Sequence, residues 1–112
     1  NLANMYLREK DARALPTAEQ ALKLAPDHPG ILDTLGWILV EQGQFKRGLD
    51  LLGKAKTKAP QAGSIHYHYA VAQARSGNKT EARKQLKQLL SSGLKFPEHE
   101  EAKKMLKELG ET

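Results

Sequence analysis

The chain repeats itself every 34 residues. Set in one row, Leu32, Leu35, Gly36, Leu39, Gly43, Gly48, Leu52, Ala55 and Pro60 stand above His66, Tyr69, Ala70, Gln73, Gly77, Ala82, Leu86, Leu89 and Leu94. One period earlier, Ala14, Ala18, Ala21 and Pro26 match Gly48, Leu52, Ala55 and Pro60. Residue size and type agree at most columns. A fixed period of this length confines the chain to arrays in which each unit buries its apolar face against its neighbours.

Inside each unit two apolar segments at helical spacing are broken by a short polar turn. Pro29 suits the first turn of a helix, where its missing N–H costs nothing, with Asp27 or His28 just before it. The spacing predicts helices over about 30–42, 45–58, 63–75 and 79–91. Gly43 and Gly77 supply the left-handed stop, and Asn78 is the expected N-cap of the fourth. Gly36, Ala70, Gly48 and Ala82 fall where the two helices of a pair cross most closely. A glycine within a helix costs about 1 kcal/mol relative to alanine, and close helix approach is the reason to keep Gly36 and Gly48. Gly53 falls at no such column, and the pattern gives no reason for it.

The first unit is incomplete, with Leu2, Ala3, Tyr6 and Leu7 ending one helix and Ala14 to Leu24 forming the next. Lys10-Asp11 replaces the turn glycine, so a tight turn capped by Asp11 and some distortion near Pro16 are expected. Gly93 closes the last repeat, and Phe96-Pro97 opens a final helix over about 98–109. Glu98, Glu100 and Glu101 suit its positive end, and Ala102, Met105, Leu106 and Leu109 form its apolar stripe. The chain opens at Asn1 inside an apolar helical pattern, which reads as a piece of a longer protein.

Only Trp37, two phenylalanines and three tyrosines are aromatic, so leucine and alanine must fill the core, a bias toward helix over strand. The 39% hydrophobic fraction is enough for a core. With no cysteine, disulfide scaffolds, thiolate zinc sites and thiol catalysis are excluded. No apolar run reaches the roughly 20 residues that span a bilayer.

The period, the small residues at two columns and the turn glycine resemble the tetratricopeptide (TPR) repeat family over essentially the whole chain. The resemblance implies an all-α fold, a right-handed superhelical stack of antiparallel helix pairs (a TPR solenoid) with a C-terminal capping helix. Residues 1–28 would be a partial repeat, 29–62 and 63–96 repeats, and 97–112 the cap. In such a stack the first helix of each pair lines the concave surface and the second faces outward. Helical spacing opposite the packed columns then puts Asn4, Leu7, Arg8, Asp33, Trp37, Val40, Glu41, Tyr67, Val71 and Arg75 in the groove. Trp37 is there either a partner's anchor, as aromatics often are, or a stiffener packed against neighbouring helices. TPR grooves that hold a C-terminal carboxylate use Lys, Arg and Asn; Asn4 matches, but Asp33, Thr34, Ser64 and His68 occupy the other positions, so that activity does not carry over.

Catalysis finds little support. On a helix His66 and His68 project about 200° apart, so one metal ion cannot take both. Packing or a hydrogen bond is the expected role of His66. Phosphate loops and nucleophile motifs are absent, so neither enzyme activity nor a cofactor or metal is expected.

The net charge of +5 is unevenly placed. Residues 46–95 carry +9, while 1–45 and 96–112 carry −2 each. Lys46, Arg47, Lys54, Lys58, Lys79, Arg83, Lys84 and Lys87 lie on second helices and form a basic convex face. Such a stripe is a solvated face or a contact for an anionic polymer or surface. Nucleic acid fits worst, because no aromatics alternate with the basic residues. The expected partner is a protein or peptide in the groove, not a small-molecule substrate; a purely structural role as interior repeats is the remaining alternative. The runs Ile31 to Val40, Arg47-Gly48-Leu49, Ile65 to Ala70 and Leu94 to Leu109 resemble C-terminal repeats of bacterial TPR proteins of exopolysaccharide and exosortase (PEP-CTERM) systems. That resemblance implies a scaffold in a periplasmic or envelope-associated assembly.

Overall fold

The computed structural model describes residues 14–110, and every regular element among them is a helix. In chain order these are α1 (Ala14–Leu24), α2 (Pro29–Glu41), α3 (Phe45–Lys58), α4 (Gly63–Arg75), α5 (Lys79–Ser91) and α6 (His99–Glu108). Each packs on the next, and α2 also touches α4, so consecutive helix pairs stack side by side. Asn4, Leu7, Arg8 and the Asp11 turn lie outside the described residues. No described helix is long and apolar enough to cross a membrane.

Local chemistry explains the breaks. His28 caps α2 by accepting the Ile31 amide on Nδ1 at 3.3 Å, with Pro29 in the first turn. Gly43, Gly77 and Gly93 adopt φ of 81°, 97° and 78°, the left-handed region that ends a helix without strain only for glycine. Asn78 stands at the N-cap of α5, but its side chain does not cap the helix. It donates instead to Gln73 Oε1 at 2.9 Å. Gln73 is buried, and leaving its carbonyl unpaired would cost more than an uncapped, water-exposed helix end.

The α2–α3 crossing is set by two glycines. A Cβ on Gly36 would stand 2.8 Å from Leu52 Cγ and 3.1 Å from the Gly48 carbonyl oxygen. A Cβ on Gly48 would stand 2.7 Å from Val40 Cγ2 and 2.9 Å from the Gly36 carbonyl oxygen. The two backbones touch directly, and Leu32, Leu35, Leu39, Leu52 and Ala55 close around them. Ala70 and Ala82, fully buried, occupy the matching columns of α4 and α5.

At the C-terminal end α6 lays Ala102 and Leu106 into a cluster with Ala70, Leu86, Leu89 and Phe96. Phe96 presses on Gly63, where an added Cβ would meet its ring and Cβ at 2.8–2.9 Å. The helix thus covers the last pair as its apolar stripe requires. Gly53 remains the exception: among the described residues its Cβ would meet Tyr69 Cε1 alone, at an ordinary 3.6 Å.

Candidate functional site

The first helices α2 and α4 adjoin, and side chains at the start of α6 reach α4, so one surface runs over all three. His68 is its hub. Its Nδ1 donates to Asp33 Oδ1 at 2.8 Å, joining α4 to α2. Its Nε2 lies 4.0 Å from Glu98 Oε2, and the other Glu98 oxygen accepts the Ser64 hydroxyl at 2.7 Å. The imidazole stacks on Trp37, with ring centroids 4.8 Å apart and planes inclined by 27°. The Arg75 guanidinium also lies over Trp37, 5.1 Å from the ring centroid, while pairing with Glu41. One continuous set of contacts therefore runs from Glu41 to Ser64.

Of the groove residues read from the sequence, this surface brings together Asp33, Trp37, Glu41, Tyr67 and Arg75. Val40 and Val71 are corrected. They are 2% and 5% exposed and cannot line an open groove. Val40 fills the space beside Gly48 and clusters with Leu52 and Ala72. Trp37 is partly buried against that same cluster, with His68 and Arg75 over its ring, so it stiffens the stack instead of projecting as a bare anchor. The groove residues read from the sequence left out His68, named only as occupying a carboxylate-holding position, and Glu98, named only for the positive end of the last helix. The repeat held the signal: His68 lies one period after Thr34, beside the Asp33 column, and Glu98 lies one period after Ser64. His66 turns away and donates from Nε2 to the Pro60 carbonyl at 2.8 Å.

Tyr67 packs 6.5 Å from Phe96, centroid to centroid, at the edge of this surface. Burial, reinforced by the carboxylates of Glu101 and Glu98, pushes its hydroxyl above the ordinary phenol range. It therefore stays protonated and can both donate and accept. The whole face offers planar rings, partly occupied carboxylates and one guanidinium. Among the described residues no three potential metal ligands are grouped to hold an ion. Such a surface suits recognition by stacking and hydrogen bonding.

The convex side is less uniformly basic than its sequence. Arg47 holds Glu19 through two hydrogen bonds of 2.7 and 2.8 Å, and Lys58 lies 3.3 Å from Asp27. Both partners belong to the preceding unit. Lys54 lies 3.8 Å from Asp50, and Arg83 donates to the Gly110 carbonyl at 3.2 Å, tying α5 to the end of α6. Lys46, Lys79, Lys84 and Lys87 remain exposed and carry the stripe.

The Arg47 hydrogen bonds hold the Glu19 carboxyl below the usual carboxylate range, against a smaller opposing effect of burial. A carboxyl with a lowered pKa in the folded state stabilises above its unfolded pKa and loses that contribution as pH falls through the folded one. Glu19→Gln is therefore expected to lower urea-unfolding stability near neutral pH by under about 1 kcal/mol, since both side chains are well exposed. The difference from the parent should shrink as pH falls through and below the ordinary carboxylate range, where Glu19 becomes protonated in the folded state too. A gap of the same size at neutral and acid pH would show that the charge pair is not its source.

A family model described as tetratricopeptide repeat matches residues 39–106, well over half of the chain. No curated protein matches it. The 34-residue period, the left-handed glycine stops, the helix pairs crossing at small residues and this match agree, and the chain belongs to the tetratricopeptide repeat family.

Proposed function

We propose that this chain is a non-catalytic scaffold whose concave face takes a peptide or partner helix. TPR repeats generally mediate protein–protein interaction, which supports the class of function. The observation that carries the site is the contact network laid across α2, α4 and α6, with Tyr67 and Arg75 at its accessible edge. A rigid face loses little entropy when a partner docks. Asp33, Glu41, Glu98 and Glu101 outnumber Arg75 there, which favours a partner segment rich in cationic or other hydrogen-bond donors. The similarity of residues 31–40 and 65–70 to repeats of exopolysaccharide and exosortase systems supports a place in a bacterial envelope assembly. That reading makes the protein periplasmic or envelope-associated.

Trp37 is the single tryptophan and lies within the face, so its emission reports occupancy. Peptides tiled from the proteins encoded beside this one are to be titrated while that emission is followed. A peptide that shifts it should bind at least about tenfold more weakly to the Tyr67→Ala, Arg75→Ala double variant. Circular dichroism checks that the variant keeps its helices. Unchanged affinity in a folded double variant would remove the concave face as the site.

A further inference from the structure

The convex side holds a second surface. An open depression runs along α3, with apolar walls from Phe45, Leu49 and Tyr69 and with Lys46 and Lys54 among its lining residues. The three wall residues are partly buried against Val40, Leu52 and Ala72, so each presents one edge outward. Gly53 lies among them in the middle of α3.

Among the described residues nothing requires a glycine at 53. Its φ is not left-handed, so the helix needs no glycine there. Among the described residues a Cβ would meet nothing closer than Tyr69 Cε1 at 3.6 Å, so packing within them needs none either. Gly36, Gly48 and Gly63 each receive a neighbour within 3.0 Å of that point. Gly53 thus bears the propensity cost of a mid-helix glycine with open space above it. Bare backbone at the floor of an apolar depression is what a closely approaching chain requires.

Charge decides the occupant. Lys46 has no partner among the described residues, and Lys54 is more than half exposed despite its 3.8 Å contact with Asp50. Four cations, Lys46, Arg47, Lys54 and Lys58, line the depression against two carboxylates, Asp27 and Asp50. We infer that this depression is a docking site for an acidic amphipathic helix of a partner protein, packed apolar side down over Gly53 with its carboxylates on the lysines. This does not depend on the concave face.

The test uses two synthetic amphipathic helical peptides that share one leucine stripe and differ only in carrying glutamate or lysine elsewhere. The glutamate peptide should bind the full chain, and should weaken as salt is raised. Gly53→Gln should weaken it at least about tenfold without lowering the melting temperature, because glutamine is the better helix former. Lys46→Glu should also weaken it, whereas Arg75→Glu on the other face should not. Equal affinity for both peptides would overturn the proposal. So would full affinity in Gly53→Gln, or anionic vesicles and polyanions that bind as tightly and ignore that substitution.

Discussion

Phe96→Ala is expected to destabilise the protein by about 3 kcal/mol and to release α6 before anything else opens. The ring is 9% exposed, sits 6.5 Å from Tyr67 and 5.6 Å from His99, and fills the space beside Gly63. Truncation therefore removes contacts between α4, the connecting segment and α6 together. Glycine at 63 cannot move inward to refill the gap, so most of the cavity would persist. Because each unit of a solenoid holds mainly to its neighbours, the loss should stay local. Hydrogen exchange should show α6 amides losing protection while those of α2 and α3 keep theirs. Equal acceleration in all helices would mean that α6 does not dock as a separable cap.

Gly48→Ala is expected to lower stability by about 2 kcal/mol, despite replacing glycine with the best helix former. The new methyl would stand 2.9 Å from the Gly36 carbonyl oxygen and 3.3 Å from the Val40 amide nitrogen. These are backbone atoms, and they can retreat only if α2 and α3 separate. Separation would loosen Leu35, Leu39 and Leu52 at the same crossing. For a chain of this length that corresponds to a melting temperature lower by roughly 10 °C. A thermal melt that rises would show that the crossing can widen freely.

Both effects concern features written plainly in the sequence. The turn glycines, the crossing glycines and the ends of α3, α4 and α5 follow from backbone chemistry, which acts within a few residues and repeats with the period. The buried state of Val40 and Val71 did not follow, because helical spacing assumes one buried stripe on each helix. α2 touches α1, α3 and α4, so its buried arc takes in Ile38, Leu39 and Val40 in succession. The His68 hub was hidden for another reason. Its partners Asp33 and Glu98 lie 35 and 30 residues away, at columns whose side chains differ from repeat to repeat. The basic stripe looked unopposed because charge was counted along the chain, whereas Glu19 and Asp27 reach it across the stack.

The pairs Glu41–Arg75 and Ser64–Glu98 each join residues one full period apart. Positions that correspond in consecutive units therefore face one another along the concave side. A duplicate of residues 29–62 inserted after itself would bring two glutamates together where a glutamate now meets an arginine. Unequal side chains at equal columns thus make the units non-interchangeable: each repeat identifies the neighbour it can stand beside, and the array carries its own reading order.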